Sequence, residues 1–230
     1  MATVNPQNVV VRGRLSFPSF TMPQALALNE RGKAQYKKPV DKVRPSFSLV
    51  VEQAALDKLI THLVDVLLPW SEAQFAAGEK GGLEPKLMTK LKKIINAGDW
   101  ENDPVLGLIK PVHEKTVPLA PEGVATVKVN GYTGTDIIQK AIVRELDELQ
   151  NPLDDILIPS RGKIMPIEDT KLELYPGSIV STEINLFPFE TSGQPGITGT
   201  ASTAVLVGDA ERFGGGGALD EDSIFMDLVD

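Results

Sequence analysis

The feature that most constrains the fold is a pair of long apolar-rich stretches, Ser178 to Glu190 and Ile197 to Gly208. They read as two strands, and Thr191 to Gly196 (TSGQPG) between them reads as a hairpin loop containing Gly and Pro. In the first stretch Val180, Ile184 and Leu186 fall on one face, while Glu183, Asn185, Phe187 and Phe189 fall on the other. If the first set is core, two rings point outward, to a ligand or to another subunit. If the sheet twists into a barrel that buries both faces, they do not. Both readings stay open on the sequence alone.

The opposite end of the chain is also strand-like. Val9 to Phe17 is rich in β-branched residues and interrupted by Gly13. Pro45 to Val51 alternates Phe47, Leu49 and Val51 with Ser46, Ser48 and Val50, so Phe47 is expected in the core. A helix is predicted from about Gln53 to Leu68, with Leu56, Leu59, Ile60, Leu63, Val64 and Leu67 as its buried stripe and Pro69 as its stop. A shorter one runs from Pro85 to Ile95, with Gly98 just past its end. Gly123 to Tyr132 reads as a strand, and Asp136 to Leu149 patterns as a helix on Ile138, Ile142, Leu146 and Leu149. The simplest assembly is mainly β with helical insertions, of the α+β class: a partly open small barrel carrying a helical insertion at about 52–98. At 230 residues and 42% hydrophobic, the chain suits one domain over 1–213.

Several chemistries lack the residues they need. There is no cysteine, so disulfides and thiolate metal sites are excluded. The two histidines, His62 and His113, have no partners at ligand spacing, and no metal or other cofactor is expected. The glycine-rich stretches 78–82 and 214–217 lack the Gly-Lys-Ser/Thr continuation of a phosphate loop. Acid pairs such as Asp154-Asp155 and Glu168-Asp169 sit beside prolines and read as solvated turns. No catalytic residue is expected, and a Mg²⁺-dependent nuclease using scattered carboxylates is the enzymatic alternative. No apolar run approaches the ~18 residues of a membrane span.

The net charge of −8 hides an asymmetry. The last thirteen residues, ALDEDSIFMDLVD, hold five acids and no base; setting those five aside leaves −3 for the rest. Arg12 to Arg44 contains eight bases against two acids, and Lys80 to Lys93 contains five lysines against Glu84. The first basic region is interleaved with rings. Arg12, Arg14, Lys37, Lys38, Lys42 and Arg44 supply cations, and Phe17, Phe20 and Tyr36 supply flat faces. Single-stranded nucleic acid needs both: cations displace phosphate counterions, and rings take unstacked bases at roughly 1–3 kcal/mol each. With the outward face of the long strand, the expected contact set is Arg12, Arg14, Phe17, Phe20, Tyr36, Lys37, Lys38, Lys42, Arg44, Phe187 and Phe189.

The acidic end follows four glycines, Gly214 to Gly217. A flexible hinge and a disordered acidic tail over 214–230 is the expected organisation, since such a segment cannot bury enough surface to fold alone. Its apolar residues, Phe225 among them, suit docking on a basic surface through Asp220, Glu221, Asp222 and Phe225. Tethered to a cationic groove, the tail competes with nucleic acid at an effective concentration on the order of millimolar.

The segment GSIVSTEINLFPFETSGQPGITGTASTAVLVGDAERFGGGG, from Gly177 to Gly217, resembles the closing strand pair of the single-stranded DNA-binding proteins of tailed phages. The shared marks are a Pro-aromatic step (Pro188-Phe189), a Gly-containing hairpin, a Val-Leu-Val run (Val205 to Val207), Phe213 before the glycine cluster, and an acidic tail. The front resembles that family in layout: VVVRGRLSF, a basic loop, then PSFSLVV leading into a helix. The resemblance implies an OB-fold, a five-stranded Greek-key barrel. It implies sequence-independent binding of single-stranded DNA during phage DNA replication and recombination, in the host cell cytoplasm. It further implies tail contacts with phage DNA polymerase, helicase-primase or recombination proteins, and homodimers. A non-enzymatic assembly or adaptor protein is the alternative binding class.

Overall fold

The computed structural model describes residues 5–20, 44–99, 107–114, 116–144 and 162–213. The strands are β1 (Asn8–Ser19), β2 (Ser46–Glu52), β3 (Ile109–Lys110), β4 (Gly123–Asn130), β5 (Ile138–Arg144), β6 (Gly162–Pro166), β7 (Ile179–Thr191), β8 (Gln194–Thr200) and β9 (Thr203–Gly208). The helices are α1 (Gln53–His62), α2 (Leu68–Ala77) and α3 (Pro85–Ala97).

Five strands close a barrel in the order β1-β2-β4-β8-β7, with β7 returning to β1. All the pairings are antiparallel except β4–β8, which meet in parallel at Asn130 and Thr200. That is the Greek-key order of an OB-fold. Inward positions form one buried cluster: Leu15, Phe47, Leu49, Val51, Ala125, Val127, Val129, Val180, Ile184, Leu186 and Ile197. Gly13 is required inside β1, because a Cβ there would fall 2.6 Å from the Val50 carbonyl oxygen on the neighbouring strand. The insertion between β2 and β4 packs its apolar stripes on the same core, through Leu56, Leu59, Leu63 and Leu67 and then Met88, Leu91 and Ile95.

Outside the barrel, β7 forks. Residues Asn185–Thr191 pair with β8, while Ile179–Ser181 pair with β9. At the fork the buried Thr182 hydroxyl donates to the Thr203 carbonyl at 2.7 Å. β9 runs parallel to β5, and β5 pairs with the outer strand β6.

Four expectations change. The helix predicted over Asp136–Leu149 is strand β5 as far as Arg144; residues 145–149 lie outside the described residues. Ile138 and Ile142, four apart, satisfy a strand's period of 2 as well as a helix's, and pairing on both edges of β5 decides for the strand. The single strand predicted over Ile197–Gly208 is two, broken at Ala201–Ser202. Pro69 does not stop the first helix. The chain passes through a π turn, Leu63–Leu67, into α2, with the Leu68 amide bonded to the Leu63 carbonyl. The wider turn removes the clash between the proline ring and the preceding turn, and Pro69 becomes an acceptable first-turn residue. Finally, the β7–β8 hairpin turns on two residues, Ser192 (φ 50°) and Gly193 (φ 72°), both left-handed as a type I′ turn requires.

Candidate nucleic-acid interface

In OB-folds the ligand face lies over the second and third barrel strands, bordered by the loop between strands 1 and 2 and the loop between strands 4 and 5. Here those strands are β2 and β4. Residues 21–43, which join β1 to β2, lie outside the described residues, and the loop between strands 4 and 5 is the Ser192–Gly193 turn.

Strand alternation builds the outer face. On β4, Thr126, Lys128 and Asn130 point away from the buried Ala125, Val127 and Val129. Lys128 pairs across to Ser48, and Asn130 pairs to Ser46 on one side and Thr200 on the other. The Asn130 amide reaches the Thr198 hydroxyl at 3.4 Å. Thr198 is the register partner of Phe187. A continuous polar row continues over β7 to β1, where the Asn185 amide donates to Asn8 Oδ1 at 2.8 Å and the Asn8 amide to Glu183 Oε1 at 3.0 Å.

Phe187 and Phe189 belong to the outer face of β7, since Val180, Ile184, Leu186 and Pro188 are buried. Phe187 is 38% exposed, high for a phenylalanine in a paired strand. One edge of its ring is steadied by the insertion. Gly81 lies between Phe187 and Trp70: a Cβ on Gly81 would fall 3.5 Å from Phe187 Cε2 and 2.6 Å from Trp70 Cη2. Phe189 is half-buried, with Gly107 alongside its ring.

Other expected contact residues are distributed unevenly. Arg12 is exposed on β1 opposite Ser181, and Arg44 is exposed just before β2. Phe17 lies on β1 by its backbone, and its side chain is outside the described residues. Tyr36, Lys37, Lys38 and Lys42 lie outside the described residues, as do Asp220, Glu221, Asp222 and Phe225 of the tail.

Two expected contact residues are engaged elsewhere. Phe20 is only 9% exposed and packs on Phe47, ring centroids 5.6 Å apart, with its carbonyl accepting from the Ile137 amide at 2.8 Å. The backbone bond fixes the end of β1 beside Ile137, and the contact with Phe47 holds the ring in the core. Arg14 faces outward at the far part of β1, but its guanidinium is bound within the protein. It donates to the Leu119, Gly177 and Glu211 carbonyls at 2.5, 3.3 and 2.5 Å and pairs with Glu122 at 3.3 Å. It also stacks over the Phe213 ring at 4.3 Å. Beside it Arg212 covers the Tyr175 ring at 4.6 Å, and the Phe213 amide donates to the Pro176 carbonyl at 2.8 Å. Gly177 (φ 111°) lets this clasp close, since a Cβ there would overlap the Glu211 carbonyl.

Trp70, Lys128, Asn130 and Thr198 belong to this surface and were not singled out as contacts from the sequence. For Lys128 and Asn130 the signal was present in the alternation of β4. For Trp70 there was none, because only the fold brings α2 beside β7.

No protein-family model and no curated protein sequence matches the chain. Among solved structures it is similar to the single-stranded DNA-binding protein from bacteriophage Enc34, at 13% identity and TM-score 0.46 over 95% of this chain and 90% of that chain. The same protein in complex with single-stranded DNA is matched at 12% identity and TM-score 0.45 over 90% of both chains. The chain is also similar to gp2.5, a single-stranded DNA-binding protein encoded by bacteriophage T7, at 15% identity and TM-score 0.38 over 97% of this chain and 96% of that chain.

Proposed function

We propose that this protein binds single-stranded DNA without sequence preference, across the outer face of its barrel. The observation that carries the reading is Phe187, a ring 38% exposed on the same barrel from whose rim the basic segment 21–43 departs. A base stacks on Phe187, with Phe189 and Trp70 supporting it. Asn130, Thr198 and Thr200 offer polar contacts that read no sequence. Lys128, Arg12, Arg44, Lys37, Lys38 and Lys42 neutralise phosphates. Such a protein keeps single strands open during phage replication and recombination and needs no catalytic group. The tail, through Asp220, Glu221, Asp222 and Phe225, occupies the cationic surface when DNA is absent and meets basic replication proteins when it is displaced.

A gel-shift comparison of single-stranded with duplex DNA tests this, using the full chain and one lacking Ala218–Asp230. Preference for single strands, with tighter binding after deletion, is the expected result. Equal affinity for duplex would overturn the single-strand reading. Unchanged or weaker binding after deletion would overturn the tail competition alone.

A further inference from the structure

Beyond the barrel face, α3 carries a one-sided charge. Pro85–Ala97 holds four lysines (Lys86, Lys90, Lys92 and Lys93) and no acid, while Met88, Leu91 and Ile95 face the core. Lys86, Lys90 and Lys93 recur at i, i+4 and i+7 and share one solvent stripe. Folding alone disfavours the arrangement. Lys86 stands in the first turn, where the positive end of the helix repels a cation, and like charges four apart repel each other. Among the described residues none of the four lysines forms an ion pair. The nearest acids along the chain are Glu84 before the helix and Asp99 after it.

Placement gives this charge a direction. The Lys90 ammonium donates to the Gln194 side-chain carbonyl, at the first residue of β8 after the Ser192–Gly193 turn that borders the ligand face. The loop leading into α3 carries Gly81, wedged between Trp70 and Phe187. The segment that touches the exposed ring thus reaches Lys86 of α3 five residues after Gly81, and the middle of the lysine stripe meets the rim of β8.

We infer that α3 is an extension of the single-strand path, holding the phosphates of nucleotides that lie beyond Phe187. This rests on the single-stranded DNA reading above. Lys86 to Lys93 spans roughly 10 Å of helix, about three phosphates at the stacked spacing of ~3.4 Å per nucleotide. The insertion therefore lengthens the site rather than merely covering the core.

The test compares the full chain with a Lys86→Ala/Lys90→Ala/Lys93→Ala variant, on oligo-dT of about 8 and about 30 nucleotides across a salt series. All three side chains are exposed, and an unchanged melting temperature verifies that the fold is intact. The short oligonucleotide is expected to bind within about twofold of the original protein. On the long one the salt slope should fall by about 2, or ~0.7 for each lost phosphate contact. An unchanged slope on the long oligonucleotide overturns the inference and leaves the single-strand reading standing. An equal loss on both lengths also overturns it, because α3 is then part of the primary site. Absence of binding by the original protein to either length removes the single-strand reading and the inference together.

Discussion

Arg14 and Phe187 mark two ends of one surface with opposite chemistry. Both are outward residues of the barrel, and β1 and β7 are paired neighbours: Arg14 sits against Ile179, eight residues along β7 from Phe187. At the Arg14 end a cation and a ring satisfy each other, guanidinium over Phe213, with three backbone carbonyls and Glu122 taking the donors. At the Phe187 end a ring lies exposed, and the lysines of α3, of which Lys90 bonds Gln194 at the start of β8, are paired with no acid among the described residues. The same two residue types hold the molecule together in one place and remain available to a ligand in the other.

The sharpest way to break that contrast is Arg14→Ala. It strips several partners at once from a guanidinium whose side chain is 13% exposed, and should cost about 2–4 kcal/mol of stability, seen in chemical or thermal unfolding. Arg14→Lys should recover little of it, since an ammonium cannot reproduce the planar fork. If Arg14→Ala instead left stability intact and weakened DNA binding, the two ends would not differ as described. Next in size is Phe187→Ala. Loss of one stacking platform should weaken single-strand binding by about 1–3 kcal/mol at constant salt, while the melting temperature stays within a few degrees. Lys128→Ala sharpens the comparison with a smaller effect: a salt slope reduced by ~0.7 in a titration of oligo-dT, with stability unaffected. Smallest is Ser192→Gly, which relieves a left-handed non-glycine residue and should stabilise by roughly 0.5–1 kcal/mol in denaturant melts without altering affinity.

Much of the barrel was legible because its strands are half-exposed. Alternation in β4 and β7 separated the two faces, although the sequence leaves open which face of β7 is outward, and so the place of Phe187. In β2 it held for Phe47, Leu49 and Val51 but not for Val50, which is buried, and the stripe of α1 marked its buried side. Legibility failed where a pattern fits two periods or where distant residues decide. Ile138 and Ile142 fit either helix or strand, and only β6 and β9 settle the matter. Pro69 reads as a stop because a π turn has no mark in the sequence. Arg14 looked like a phosphate ligand among other basic residues. Its true partners, Leu119, Glu122, Gly177 and Glu211, lie more than 100 residues away in the chain, where no local pattern reaches. Phe20 was read as a contact residue for the same reason; its ring packs on Phe47, and its carbonyl bonds Ile137, both distant in the chain.

The clasp around Phe213 also acts as a mooring point. It fixes the last residue before Gly214 against β1, roughly 26 Å along β7 from Phe187 at ~3.3 Å per residue. The seventeen residues that follow have a contour of at most ~60 Å. Without the four glycines the remaining thirteen residues still have a maximum contour of ~45 Å, longer than that separation. For the tail competition proposed above, removal of the four glycines is therefore expected to leave DNA binding unchanged, whereas moving the acids along the segment is not.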